Sequence, residues 1–561
     1  MAKLWTVKGM EKIDWLWIAG LGGLFVFGLW HYGDVKAGAQ ACGDTWLMGN
    51  YAALLGTSLI LTGLLGWLFL GKPGGKLWKL EQIYPFAGLS MGVLYLLVFP
   101  PLSGPDEISH YISAYQLSSH MLGQPSNSRD GHVLVRGQDW FLEDIYGEYM
   151  YSEEDGFWTK TGTKEDSRQA LVLGQVLTEE TYRLVYESFQ DGQKPVRAGE
   201  TEHLAVSPYP PVVTTPAAYI PQALGISLAR ILNLNSVWLA YLGRLGNLLF
   251  FVAMTGLAIK KAPFGKEILA GVGLLPMTLH LSATFSYDVW ILAWMFYFTA
   301  YCLNLAFAQE QVRGRDVAVL AVSMALAGPC KMVYTVLMGL CLLIPVKKFG
   351  SWKKWTLSAG IVFGAWVLAM IFINRQVVSA YVAPETENYI GWAEETGYSL
   401  GMLLGQPRRT IQLFYNTLAR QSEGYHMSMI GNYLGNLDPV LDVPYPVVLA
   451  FTGCLLCLAF RRPGESLVFT GGKRLWVWFL CLTCMGALMF SMLIAWTPVS
   501  SDVINGVQGR YLLPFLPVFL MTLKNDVLVM TRWGERRILY GMYGMNAYVA
   551  VRIFSIVSMR V

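Results

Sequence analysis

Ile83–His120 reads IYPFAGLSMGVLYLLVFPPLSGPDEISHYISAYQLSSH, and this stretch decides the class of fold. From Ile83 to Pro101 there is no charged residue, a run long enough to cross most of a bilayer's roughly 30 Å of hydrocarbon. Two adjacent carboxylates follow, Asp106 and Glu107, set among Pro100, Pro101 and Pro105. One charge near the bilayer centre costs about 2.5–3.5 kcal/mol on insertion scales, so an acid pair at a membrane surface needs a reason. It reads either as a reaction centre at the membrane–water boundary or as a polar cap, with Asp106 or Ser103 capping a helix that begins near Ile108. The two roles can coexist.

The rest of the chain repeats the apolar theme. Of its 561 residues 54% are hydrophobic and only 14% charged, whereas a soluble chain carries about a quarter charged residues. Apolar runs recur near 14–31, 47–70, 83–101, 236–258, 267–284, 288–308, 315–329, 331–346, 356–374, 444–460, 475–496, 510–523 and 539–558. They predict an all-α polytopic membrane protein of about thirteen transmembrane helices. The first run is as long as a true span and lacks a small-residue cleavage site, so no cleavable signal is expected.

Orientation follows from Lys and Arg. Lys72, Lys76 and Lys79 share one short loop, and Lys260, Lys261 and Lys266 another. Lys347, Lys348, Lys353 and Lys354 mark a third, Arg461, Arg462, Lys473 and Arg474 a fourth, and Arg532, Arg536 and Arg537 a fifth. With alternating spans all five fall on one side, which the positive-inside rule makes cytoplasmic. The N-terminus is then cytoplasmic, and segments 101–235, 375–443 and 497–509 face outward.

The first outer segment contrasts in composition. Pro101–Ala205 holds 18 Asp and Glu against 8 Lys and Arg, a net of −10, with four of the seven histidines. It predicts a small α+β insert over 102–205: strands in HVLVRGQDWFLEDIYGEYMYSEEDGFWTK, and an amphipathic helix with a Thr start signal in LTEETYRLVYESFQDG. Acidic outer loops are also ordinary solvation, so charge alone implies no ligand. No nucleic-acid partner is expected. The division is 1–82 as an N-terminal hairpin, 83–375 as the core with its insert, 376–443 as a second outer loop, and 444–561 as the C-terminal helices.

Two motifs mislead. Cys454-x-x-Cys457 and Cys481-x-x-Cys484 imitate a four-thiolate zinc site, but both pairs sit inside apolar runs, where small residues favour close packing. Gly20-Leu21-Gly22-Gly23 likewise reads as span packing, with no strand–turn–helix around it.

Once the spans are drawn, unusual polar residues collect at their outer ends: Asp106, Glu107 and His110; Ser286, Tyr287 and Asp288; Cys330 and Lys331; and Arg510. Short turns cannot lift charges far from the membrane, so these groups are expected to line one cavity. Carboxylates serve as bases or metal ligands, and Arg and Lys as an anion clamp. Acid, base and clamp together suit a substrate with a lipid tail and a phosphate head. The alternative is that Lys331 and Arg510 snorkel at span ends. SPYPPVVTTPAAYIPQALGISLARIL, which includes Tyr209, reads as an interfacial or re-entrant segment or as a stiff connector. Arg408 and Arg409 open an amphipathic helix, meeting headgroups, phosphate or solvent.

The ordered motifs P-P…P-D-E-x-x-H-x-x-x-A-Y-Q-L-S (Pro100–Ser118), Y-P-P…Y-I-P-Q-A-L-G (Tyr209–Gly225), K-x-x-Y (Lys331–Tyr334) and G-x-Q-G-R-Y-x-x-P (Gly506–Pro514) resemble a large family of bacterial polytopic proteins. That family, long of unknown function, is grouped with GT-C fold glycosyltransferases. The segment YLGNLDPVLDVPYP resembles a family segment with an aromatic residue where Asn436 stands here, and residues 14–70 look like an addition to the usual start. The resemblance implies a GT-C-like fold in the bacterial cytoplasmic membrane. It implies an inverting transfer of sugar from a polyprenyl-phosphate donor to an envelope glycan or lipid acceptor on the extracytoplasmic side. It implies an acidic catalytic residue at Asp106 or Glu107; Asp106 is assigned as general base with Glu107 or His110 orienting the acceptor, and Arg510, Lys331, Tyr511 and Gln508 about the donor phosphate. Asp288, Tyr334, Tyr209 and Arg408 complete the cavity candidates. No metal ligands are assigned; some GT-C enzymes use a divalent cation such as Mg or Mn, and Asp106, Glu107 and Asp288 could hold one. A flippase for a lipid-linked glycan and a non-enzymatic assembly scaffold are the rival classes, the first expected to show paired repeats and broken midplane helices.

Overall fold

A computed structural model describes residues 15–71, 77–139, 149–152, 157–160, 177–191, 204–207, 209–373, 388–435, 441–465, 469–531 and 534–559. They are mostly helical. Six helices are long and apolar enough to cross a membrane: Met48–Leu70, Leu80–Val98, Ser236–Lys261, Asp288–Ala308, Trp352–Ile373 and Gly471–Trp496. Trp15–Cys42 and Glu535–Val557 cover the first and last expected runs. Gly314–Ala327 and Tyr445–Ala459 are helical as expected, but at 14 and 15 residues they rise only about 21–23 Å.

Three expected spans take another form. The run 267–284 divides into Lys266–Gly273 and Pro276–Ser282, because Pro276 has no N–H and its ring crowds the preceding turn. The run 331–346 is a 3-10 helix, Met332–Leu343. The run 510–523 becomes a 3-10 turn, Gly509–Leu512, and a short helix, Leu516–Met521, with Pro514 and Pro517 interrupting. Among the described residues, therefore, six of the thirteen expected runs meet the length and apolarity of a crossing.

Local chemistry sets the helix that leads to the acid pair. The Lys79 N–H donates to Gln82 Oε1 at 3.0 Å, and Glu81 lies in the first turn, where the helix dipole favours an anion. The helix stops at Phe99, in extended backbone, since the following Pro100 disfavours the helical conformation before it. Beyond it, Ile220–Ile231 folds back on Ser236–Lys261. A Cβ at Gly225 would collide with the Leu242 carbonyl, and one at Gly246 with the Pro221 carbonyl, so the absent side chains permit the close crossing. Ser236–Lys261 then packs on both Leu80–Val98 and Asp288–Leu303.

The insert contains the expected elements. Leu134–Arg136 pairs antiparallel with Leu204–Val206, and Tyr149–Ser152 with Phe157–Lys160. Helix Glu179–Asp191 opens where Thr178 and Thr181 exchange side chain–backbone hydrogen bonds of 3.0 and 3.4 Å. A buried Arg136–Asp139 pair at 2.7 Å, joined by the Tyr115 hydroxyl at 2.6 Å, ties the first ribbon to helix Glu107–Met121.

Described residues of the basic loops bond to neighbouring loops. Lys266 pairs with Glu81 at 3.6 Å, Arg536 donates to the Trp78 carbonyl, and Arg474 donates to the Lys524 carbonyl at 3.0 Å. Cys481 and Cys484 are buried in Gly471–Trp496. Among the described residues no group of three or more His, Cys, Asp or Glu is placed to hold a metal ion.

Candidate functional site

Four separate elements bring their polar ends together. Asp106 follows the prolines after Leu80–Val98 and has left-handed backbone, φ 54° and ψ 19°. Few side chains sit there without strain, and Asp is among them. Asp288 opens its helix, Lys331 precedes the 3-10 helix, and Arg510 lies in the Gly509–Leu512 turn.

Asp288 bridges the cations. Its Oδ1 stands 3.2 Å from Lys331 Nζ, and its Oδ2 3.4 Å from Arg510 Nε. Arg510 Nη2 in turn lies 3.6 Å from Asp106 Oδ2. The exposures differ sharply: the Asp106 side chain is 59% accessible, against 6% for Arg510 and 13% for Asp288. Asp106 is thus the carboxylate that a bound molecule reaches, backed by an enclosed guanidinium. Arg510 Nε is buried and, among the described residues, completes no hydrogen bond. Lys331 Nζ stands 3.6 Å from the centre of the Tyr511 ring, a cation–π arrangement, and the Tyr334 hydroxyl donates to the Tyr511 carbonyl at 2.8 Å.

Two glycines explain how Arg510 is aimed. Gly506 has φ 78°, which turns the chain. At Gly509 a Cβ would collide with the Tyr425 carbonyl oxygen, so the missing side chain lets residues 508–510 lie flat on helix Pro407–Ile430. The Gly509 N–H donates to Ser428 Oγ at 3.1 Å.

His110 sits behind Asp106. Its Nδ1 is 2.7 Å from the Tyr219 hydroxyl, and its ring meets Tyr287 edge-on. Burial pushes its pKa down to about 4, although Asp106 and Asp288 pull the other way. Glu107 turns inward. Its Oε1 accepts from the Phe285 N–H at 3.0 Å and faces Arg244 Nε at 3.2 Å, and its Oε2 accepts from the Gly104 N–H at 2.8 Å. Enclosure raises its pKa, while Arg244 and the N–H donors oppose the rise. Arg244 also donates to the Phe99 carbonyl at 2.7 Å. The pair holds the Pro100–Asp106 turn against the turn before Asp288, a positioning part beside the orienting one that the motif implied.

Of the other candidates, Gln508 lines a cavity of about 400 Å³ on which Arg510 also borders. Tyr209 is packed in an apolar cluster with Tyr111 and Tyr219, and Val212 and Thr214 dock the same segment onto Ser113 Oγ and the Cys330 carbonyl. Arg408 is exposed in the first turn of Pro407–Ile430; the arginine of that helix that borders the cavity is Arg420. Sequence reading passed over Arg420, Gln421, Tyr425 and Tyr433. For the first three the signal was the i, i+1, i+4, i+5, i+8 spacing of Arg420, Gln421, Gly424, Tyr425 and Ser428 on one helix face; Tyr433 lies beyond the helix end. Asn436 lies outside the described residues.

Fold and cluster define a multi-helix membrane protein in which carboxylates, a histidine and two cations gather from separate elements. The profile of the family described as predicted membrane protein (DUF2142) matches residues 89–519, and the chain belongs to that family. No curated protein and no solved structure matches it.

Proposed function

We propose that this protein is an inverting membrane glycosyltransferase of the GT-C class, taking sugar from a polyprenyl-phosphate donor. The observation that carries the reading is the exposed Asp106 carboxylate 3.6 Å from the buried Arg510 guanidinium, with Lys331 one carboxylate further on. A sugar hydroxyl is a poor nucleophile until a base takes its proton. The acceptor oxygen attacks the anomeric carbon, its proton passes to Asp106, and the bond from that carbon to the phosphate oxygen breaks. The bonding pair leaves with the lipid phosphate, whose growing charge Arg510 and Lys331 stabilise. His110, neutral at pH 7, has one ring nitrogen against Tyr219 and keeps the other for the acceptor. A single displacement inverts the anomeric centre.

The five basic loops support a cytoplasmic location for the opposite end under the positive-inside rule, and on this reading the transfer occurs on the extracytoplasmic side and builds an envelope glycan or lipid. A divalent cation would have to share Asp106 and Asp288 with Arg510; chelation tests that demand. The test of the reading is transfer in proteoliposomes from a panel of polyprenyl-phosphoryl hexoses and pentoses, reading the product's anomeric configuration. An inverted linkage supports it. A retained linkage excludes single displacement, and translocation of intact lipid-linked glycan without bond cleavage makes the protein a flippase.

A further inference from the structure

Arg510, which the proposed chemistry uses, borders the 400 Å³ cavity, whose other lining residues that chemistry leaves unassigned. One wall is the face of Pro407–Ile430 carrying Arg420, Gln421 and Tyr425, and Val507–Arg510, packed against that helix, continues the lining. Tyr433 stands partly exposed at the mouth. Both cations that border this space already have carboxylate partners: Arg420 pairs with Asp502, and Arg510 with Asp106 and Asp288. A second free anion therefore finds no unmatched cation here. The amides remain. Gln421 Oε1 accepts from the Tyr425 hydroxyl at 2.6 Å, and among the described residues neither the Gln421 amide nitrogen nor the Gln508 side chain makes a hydrogen bond.

We infer that this cavity is a carbohydrate subsite, with Gln421, Gln508 and Tyr433 reading a neutral sugar ring held beside the Arg510–Asp106 pair. A carboxamide presents a donor and an acceptor side by side, matching the two hydroxyls of a vicinal diol. An aromatic ring at the mouth offers an apolar face to the sugar's C–H groups. The ring belongs either to the donor or to the acceptor. The donor assignment rests on the function proposed above; the subsite does not.

Binding measured in nanodiscs separates these cases, with wild type, Gln421→Ala and Tyr433→Ala compared on three probes. The probes are a bare polyprenyl phosphate, a panel of polyprenyl-phosphoryl sugars of the same chain length, and a panel of neutral oligosaccharides. A loss of about tenfold or more on the sugar-bearing lipid, with the bare lipid unchanged, places the donor sugar in the cavity. The same loss confined to the oligosaccharides places the acceptor there. If wild type binds neither lipid yet oligosaccharide binding still depends on Gln421 and Tyr433, the phosphate reading fails and the subsite stands. Unchanged affinity for every sugar-bearing probe, or an equal loss on the bare lipid, overturns the subsite.

Discussion

Arg510 Nη2 lies 3.6 Å from Asp106 Oδ2, and the two side chains differ tenfold in exposure, 6% against 59%. The guanidinium is fixed within the protein by its turn on helix Pro407–Ile430, while the carboxylate opens outward from a left-handed turn. An incoming phosphate can therefore take the Arg510 Nη2 donor from Asp106, which is already solvated, while the buried Asp288 keeps Lys331 and Arg510 Nε as partners.

Asp106→Asn tests the base. Asn tolerates left-handed backbone as Asp does, so the turn is retained. Turnover is expected to fall by about 10²- to 10⁴-fold, the usual range for a general base, with lipid-phosphate affinity within about threefold of wild type. Near-normal turnover removes Asp106 from the chemistry.

Glu107→Gln tests a different part. It leaves Arg244 buried without its counter-charge, and breaking such a pair costs about 3–5 kcal/mol. The double variant Glu107→Leu/Arg244→Leu is expected to lose less stability than the single one, since no lone charge remains. Thermal unfolding in detergent of all three proteins checks this. A Glu107→Gln protein of unchanged stability and abolished turnover would instead give Glu107 a direct part in transfer.

Gly509→Ala pushes residues 508–510 off the Pro407–Ile430 helix, because the new methyl meets the Tyr425 carbonyl. Overpacking of this kind costs about 1–3 kcal/mol. Arg510 moves with the loop, so donor binding is expected to weaken more than tenfold. Retained affinity would mean that the turn does not aim Arg510.

The pH dependence of stability reports on His110, whose pKa falls to about 4 on folding from about 6.5 in an unfolded chain. The unfolded chain takes up the proton first, so this histidine's contribution is full above about pH 6.5 and is lost as pH falls toward 4. The full loss is about 3 kcal/mol. Unfolding measured across that window should slope downward with acid in wild type, and the slope should shrink in His110→Gln. Identical slopes would show that His110 titrates normally in the folded protein.

How much could be read beforehand differs between helices and site. Runs such as 47–70, 236–258 and 475–496 have no rival explanation, because a long apolar stretch satisfies its backbone only as a helix in lipid. The observed helices start or end within a few residues of them. Pro276, Pro514 and Pro517 were equally visible, yet hydropathy averages over them and so merges short helical pieces into single runs. In the site, Asp106, Asp288, Lys331 and Arg510 stood out because charge at a span end is costly. Arg244 was hidden within an apolar run, and its partner Glu107 looked identical in sequence to its neighbour Asp106. A left-handed backbone at one residue sends the two carboxylates to opposite surroundings, and no local pattern encodes that. Gln421 lies on the polar face of an amphipathic helix and Tyr433 just beyond that helix, and such residues are unremarkable until the rest of the cavity lining is known.

Native mass spectrometry of the purified protein beside Arg510→Ala tests the proposed donor site most directly. Wild type is expected to carry a polyprenyl phosphate or its sugar adduct, and Arg510→Ala to have lost it while keeping its fold. A wild-type protein bound to a glycan with no polyprenyl species, or an Arg510→Ala protein holding the lipid phosphate as fully as wild type, would contradict it.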